Sequence, residues 1–214
     1  MCQAAGVVRV DQTGSTGIDL RRRAIHDAAI AEFSERGYAG TSMANIAARV
    51  GVSRPALYQY FSNKGDIFVS AFVALYDDRA DVALAALDIN GPLAERLDGF
   101  LQRFDGDLWE RMAASPHSEE LMQAKPARTT EELAAVIARV RVGLDEFLTR
   151  IAPGHSRAAA TRRNGWAELL ALAPKGFKAD SPGVDHYRRR LNALAHSVAA
   201  DIASERTLRA GVRT

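Results

Sequence analysis

The chain has 214 residues, of which 47% are apolar and 25% are charged, and its formal net charge at pH 7 is +2. This composition is typical of a globular protein with one or two domains and excludes an intrinsically disordered chain. No uncharged apolar run approaches the roughly 18 residues that a membrane-spanning helix needs, and residues 1–17 lack the apolar segment of a signal peptide. We therefore expect a cytoplasmic protein with no membrane partner.

The charge is distributed unevenly along the chain. Residues 1–65 carry +3, residues 66–124 carry −8 and residues 125–214 carry +7. Only certain faces can therefore approach a polyanion. The single cysteine, Cys2, excludes an intrachain disulfide and a cysteine-rich zinc site.

Residues 1–18 are rich in small and polar residues without periodicity, which predicts a disordered leader. From Asp19 the pattern becomes helical, with apolar residues at i, i+4 and i+8, and this first helix is predicted to end at Gly37. Three arginines, residues 21–23, stand near its start. They could reach the phosphates of a nucleic acid or simply be solvated, and the sequence leaves both possibilities open.

The stretch from Thr41 to Phe61 contains two short helical patterns joined by a tight turn. Residues 43–50 have the apolar stripe of an amphipathic helix, and Gly51 ends it because glycine tolerates the left-handed backbone conformation. Ser53 can cap the next helix, with Pro55 near its first position. The pattern predicts a second and a third helix.

Leu57 and Phe61 are the apolar anchors of the third helix and leave its other face polar. That face carries hydrogen-bond donors and no carboxylate: Arg54, Tyr58, Gln59 and Tyr60, with Lys64 just beyond. Such side chains suit phosphates and base edges.

Two helices of about eight residues with a glycine in the connecting turn are typical of a helix-turn-helix, whose second helix enters the major groove of DNA. Helical hairpins of this kind also occur in bundles that never touch DNA. The spacing alone therefore leaves DNA binding and simple packing equally open.

The residues GTSMANIAARVGVSRPALYQYFSNKGDIF resemble the DNA-binding signature of the TetR (tetracycline-repressor-like) family of transcriptional regulators. The resemblance covers residues 19–75 closely, including the LYxYFxxK run that ends at Lys64, whereas the rest matches only in length and helical layout. Gly65 departs from the pattern, since the family more often has an acidic residue there. The acidic side chain of Asp66 can instead stabilise the N-terminus of the following helix through the helix dipole.

The resemblance implies two groups of DNA contacts. Arg54, Pro55 and Ala56 would face bases, while Ser42, Tyr58, Tyr60 and Lys64 would hold phosphates. Ser53 and Gln59 complete the predicted DNA-binding set.

The resemblance further implies a homodimer, a double-stranded DNA operator and a small, mostly apolar effector bound among helices four to eight. Six aromatic residues could line the effector pocket, although such stripes more often form plain core: Phe72, Phe100, Phe104, Trp109, Phe147 and Trp166. The surplus apolar stripe of the last two helices, with Trp166, Leu169, Leu170 and Leu194, predicts that they pair across a twofold axis.

Six further helices are predicted beyond the third, and no stretch alternates as a strand. They span about residues 64–86, 93–108, 115–122, 130–151, 156–173 and 184–209, with a loop at 174–183. The fold is therefore all-α, with about nine helices. A three-helix domain at residues 19–66 carries the helix-turn-helix, and a larger helical domain at residues 67–214 binds effector and dimerises.

Signatures of enzymes are missing from the sequence. It contains no Glu-x-x-His pair, GxSxG elbow, Walker loop, GxGxxG or HExxH. We therefore expect no catalysis, no cofactor and no metal, and predict a sequence-specific DNA-binding regulator, a repressor that an effector releases. The alternative is a helical protein-interaction module, which would show no salt-dependent retention on DNA.

Overall fold

Helices form all the regular secondary structure in the part of the chain that the structure describes. The structure, a computed structural model, describes residues 12–124, 127–152, 154, 156–179 and 182–211. The helices are α1 (Gln12–Gly40), α2 (Met43–Val50), α3 (Arg54–Tyr58), α4 (Lys64–Ala86), α5 (Leu93–Leu101), α6 (Asp107–Ala113), α7 (Ser118–Gln123), α8 (Ala127–Ile151), α9 (Arg157–Ala179) and α10 (Val184–Gly211). A π-helical segment, Gln102–Gly106, joins α5 to α6. The all-α prediction is confirmed.

The start of the chain differs from the sequence-based expectation. Residues 1–11 of the predicted leader lie outside the described residues, and α1 begins at Gln12 rather than at Asp19. Residues 17–24 of α1 are all exposed, so they show no buried stripe from which a helix could be inferred. Gly37 breaks the helical geometry at φ 71°, close to the predicted end.

The predicted loop at residues 174–183 is wrong for its first half, because α9 continues through Pro174 to Ala179. Proline costs the helix one backbone hydrogen bond, but contacts from outside α9 hold this turn. The Tyr187 hydroxyl lies 3.4 Å from the Pro174 carbonyl and donates to Asp105, which also pairs with Lys178.

Two clusters of buried side chains divide the molecule. The N-terminal core consists of Ile25, Ala29, Phe33, Met43, Ile46, Ala47, Leu57, Phe61, Ile67, Phe68 and Leu121. The C-terminal core begins at Phe72 and takes in α5, the π segment, α8, α9 and α10. α4 runs through both cores, so the domain boundary near Asp66, still a prediction, falls close to the start of a continuous helix.

The C-terminal core is a bundle in which α10 packs on α5, α4 on α8, and α8 on α9. α7 instead packs on α1 and places Leu121 in the N-terminal core. Within the described ranges, no helix combines the length and apolar character that crossing a bilayer requires.

Candidate nucleic-acid interface

Caps at both ends fix the length of α2. At its start the Asn45 amide donates to Ser42 Oγ at 3.2 Å, and the Ser42 amide donates to Asn45 Oδ1 at 3.1 Å. At its end Gly51 adopts φ 77°, and its amide donates to the carbonyls of Ala47 and Ala48. The start of α2 is a reciprocal capping box, and its end is the left-handed glycine cap that the sequence predicts at Gly51.

α3 is a helix of only five residues, shorter than the eight predicted. The Ala56 amide donates to Ser53 Oγ at 3.2 Å, and the amides of Tyr60 and Phe61 donate to the Leu57 carbonyl at 3.0 and 3.2 Å. Leu57 is fully buried. The short helix is therefore clamped by its cap, by the following turn and by one apolar anchor.

The outer face of α3 carries most of the predicted contact residues. Ser53, Arg54, Pro55, Tyr58 and Gln59 are exposed, while Ala56 and Tyr60 are half-buried. The Arg54 guanidinium donates to the Tyr58 hydroxyl at 3.2 Å. The sequence has no Asp or Glu between residues 37 and 65, so nothing acidic in this segment opposes a polyanion.

Lys64 differs from the expectation that it holds a phosphate. Its ammonium donates to the carbonyls of Tyr38 at 2.7 Å and Thr41 at 3.0 Å, with the Ala39 carbonyl at 3.4 Å, and lies 4.5 Å from the centre of the Tyr38 ring. An ammonium has three donors, and all three have partners here. Lys64 therefore fastens the start of α4 to the end of α1.

An ion-pair cluster that sequence reasoning missed holds α2 against α1. Arg49 Nε donates to Glu32 Oε1 at 2.7 Å, and Arg49 Nη1 donates to Glu35 Oε1 at 3.0 Å. Glu32 is 4% exposed, and the hydrogen bond from Arg49 lowers the pKa of Glu35. Charged residues on two different helices carry no periodicity that reveals such a cluster.

In the described part of the chain, two of the three arginines at residues 21–23 of α1 contact other side chains. The guanidinium carbon of Arg22 lies 5.0 Å from the centre of the Phe61 ring, and Arg23 pairs with Asp78 at 3.0 Å. Both arginines are exposed, so these contacts are weak enough for a phosphate to compete.

The six aromatic residues predicted for an effector pocket lie in or against the C-terminal core. Five are at most 8% exposed, namely Phe72, Phe100, Phe104, Phe147 and Trp166, and Trp109 is half-buried. A cavity of about 430 Å³ lies instead between α1, α4, α6 and α7, and of the six only Phe72 lines it. The other five aromatic side chains pack in or against the C-terminal core.

Residues 25–71 match the model of bacterial regulatory proteins of the tetR family. The match runs from the middle of α1, through the capped α2 and α3, into α4. The chain is similar to the tetR family over residues 25–71. It is a DNA-binding transcriptional regulator, and the alternative of an interaction module without DNA binding is not favoured.

Similar proteins match this chain over different lengths. The HTH-type transcriptional regulator BetI of Agrobacterium fabrum is 27% identical over 71% of this chain and 73% of its own. IcaR of Staphylococcus aureus, a negative regulator of the biofilm operon icaADBC, is 31% identical over 41% of this chain and 47% of its own. The TetR-family repressor AlkX of Dietzia superposes with a TM-score of 0.57 at 18% identity, covering 86% of this chain and 96% of its own.

Proposed function

We propose that this TetR regulator acts in the cytoplasm as a homodimer that binds a pseudo-palindromic operator and represses transcription until a small-molecule effector releases it. The observation that carries the proposal is the exposed, carboxylate-free face of α3, clamped by the Ser53 cap and the Leu57 anchor. A rigid helix with free donors can lie in a major groove and contact base edges.

Within that face we assign base recognition to Arg54, together with the neighbouring Pro55 and Ala56. Side chains at the start of a recognition helix contact base edges. Tyr58, Gln59 and Ser42 are assigned to phosphates, and Ser53 chiefly to capping. Tyr60 is assigned a smaller contribution to phosphate binding, because its side chain is half-buried against the N-terminal core.

The dimer interface is assigned to α9 and α10, and the structure changes which side chains support it. Trp166 and Leu170 are at most 4% exposed and belong to the chain's own core. Leu169 and Leu172 remain 50% and 41% exposed on α9. In a dimer formed by a symmetric contact through these leucines, the two α3 helices would enter successive major grooves of the DNA. Those grooves lie roughly 34 to 36 Å apart.

Release by an effector is assigned to α4, which joins the N-terminal core to the C-terminal core. Tilting α4 would change the spacing of the two α3 helices. A hundredfold loss of DNA affinity requires about 2.7 kcal/mol of differential effector binding between the two states.

Selection from a pool of random duplexes tests the proposal. We expect the full chain to enrich a pseudo-palindrome, and the same selection with Arg54→Ala to lose preference at one base step in each half-site. A promoter carrying the enriched sequence should then give less transcript in vitro when the protein is added. A pool that never converges contradicts operator binding, and more transcript contradicts repression.

A further inference from the structure

The cavity of about 430 Å³ lies where the two cores meet. We call it the junction slot; its walls include Ile30 and Phe33 of α1, Phe68 and Phe72 of α4, and Leu108 and Met112 of α6. Most of its lining is apolar, and its volume is in the range of small-molecule sites. Side chains of both the N-terminal and the C-terminal core contribute to it.

The junction slot lies along α1. Its lining on α1 extends from Asp27 to Ser34, seven residues or about 10 Å of helix. In the lining, Ser115 Oγ donates to the Ser34 carbonyl at 2.9 Å, and Leu121 is also among the lining residues. An apolar body of about that length could lie along this stretch of α1.

A positive charge stands at the wall of the slot. Arg111 of α6 lines it and is exposed, and no hydrogen bond or ion pair joins Arg111 to any residue in the described ranges. Arg79, on α4 one turn beyond Leu75, donates to the Arg103 carbonyl at 3.0 Å, while its Nε is buried without a hydrogen-bond partner there. Burial lowers the pKa of Arg79, and the nearby charge of Arg111 lowers it further.

Acidic groups offset these two arginines only in part. Asp107, which favours the charged form of Arg79, is itself paired with Arg188 at 3.0 Å. Asp27 lines the other part of the slot, on α1. The field near Arg111 therefore favours an anion over a cation.

We propose that the junction slot binds a slender organic carboxylate, with its apolar body between α1, α4 and α6 and its carboxylate on Arg111. The inference rests on the proposed function, because it names the chemical class of the effector. It differs from the pocket predicted among the aromatic residues, since α1 of the N-terminal core forms one wall.

A ligand in the junction slot acts directly on α1. The corner between α6 and α7 is attached to α1 by the Ser115–Ser34 hydrogen bond and by the Ala39 amide, which donates to Glu120 Oε1 at 2.6 Å. A molecule that separates α6 from α1 strains both contacts. The N-terminal core then shifts against the bundle, which changes the position of α3.

Titration calorimetry of the full chain with octanoate, 1-octanol and octylamine tests the inference. We expect octanoate to bind most tightly, octanol more weakly and octylamine least. Ala31→Leu fills the slot and should weaken octanoate at least about tenfold, equivalent to 1.4 kcal/mol. Ala24→Leu, the same change at an exposed position of α1, is the matched control and should leave the affinity unchanged.

Arg111→Gln alters an exposed side chain and leaves the apolar wall intact. It should weaken octanoate and leave octanol unchanged. A wild-type chain that binds none of the three probes at millimolar concentration, an Ala31→Leu variant that binds like wild type, or octylamine that binds as well as octanoate overturns the inference. Each of these results can occur while operator binding is intact, whereas failure of the proposed function appears as loss of operator binding without any ligand.

Discussion

Arg54 is the side chain on the α3 face best suited to read a base, because a guanidinium can donate to guanine O6 and N7 together. Arg54→Ala should cost about 1 to 3 kcal/mol of operator binding and relax specificity at one base step. Competition binding with single-base operator variants measures both. Tyr58→Phe, which removes the hydroxyl that Arg54 contacts, is the control and should keep the specificity. Equal losses on every duplex would make Arg54 a phosphate contact only.

Lys64 should behave as a structural residue. Removing an ammonium that serves three carbonyls leaves them without their donor, so Lys64→Met should lower the free energy of unfolding by about 1 to 3 kcal/mol. Thermal unfolding measures this loss. The salt dependence of DNA binding should stay as in wild type. A stable variant whose salt dependence falls by one phosphate contact would restore the role that the sequence resemblance implies.

Asp105 is the buried carboxylate of the C-terminal core, at 4% exposure. It accepts the Tyr76 hydroxyl at 3.0 Å, accepts the Tyr187 hydroxyl, and pairs with Lys178. Burial and the charge of Asp105 raise the pKa of both tyrosines, which keeps them as donors. Nothing in the sequence pattern marks this cluster, because its four members come from four separate segments.

Asp105→Ala should destabilise the fold by about 3 to 5 kcal/mol, since it leaves the Lys178 ammonium without its anion. Urea unfolding measures the loss. The double variant Asp105→Asn, Lys178→Met removes both charges and should recover part of the stability. A double variant less stable than Asp105→Ala would mean that packing, not charge, dominates at this position.

His26 gives the N-terminal part a pH dependence. Its Nε2 lies 2.9 Å from Ser70 Oγ, which ties α1 to α4. Burial, together with the charge of Arg22, lowers the pKa of His26 below 6.5, so the folded state favours the neutral ring. The stabilisation is complete above pH 6.5 and is lost as the pH falls through that value toward the folded pKa.

Thermal unfolding between pH 8 and pH 6 should therefore show stability decreasing toward pH 6. His26→Gln, which keeps a polar side chain without a titration in this range, should flatten the profile. An unchanged profile in the variant would assign the pH dependence to other groups.

At the scale of elements, the bounds of α2 and of the turn could be predicted almost to the residue, and so could the start of α3, but not its length of only five residues. Their signals are local: the Ser42 and Ser53 caps, the left-handed Gly51 and the apolar anchors. The extension of α9 past Pro174 could not be predicted, because contacts from Tyr187 and Asp105 hold it. The Lys64 contacts were missed for the same reason, since its partners lie more than twenty residues earlier.

The π-helical segment is another element that periodicity could not reveal. Phe104, Asp105 and Gly106 are three consecutive buried residues. A π turn forms i→i+5 hydrogen bonds, and one such turn inside a helix leaves no signal in a pattern counted at 3.6 residues per turn. The sequence therefore predicts one continuous fifth helix, and the segment that places Asp105 appears only in the structure.

At the scale of the whole molecule, the exposed leucines of α9 bear on assembly. Leu169→Glu should convert the proposed dimer to a monomer and weaken operator binding, because a buried, unpaired carboxylate is unfavourable in an apolar interface. Sedimentation velocity measures the change. Val142→Glu on α8, at a position 60% exposed, is the matched control and should stay dimeric. A dimeric Leu169→Glu variant would place the interface elsewhere.

The most direct test of DNA binding is the salt dependence of the affinity for the selected operator and for a scrambled duplex, measured by fluorescence anisotropy. Phosphate contacts release counterions, so the logarithm of each association constant should fall linearly with the logarithm of salt concentration, by about 0.9 per phosphate neutralised. At physiological salt the operator should bind about a thousandfold or more tightly than the scrambled duplex. No retention on either duplex at low salt, or equal affinity for the two, would contradict a sequence-specific regulator.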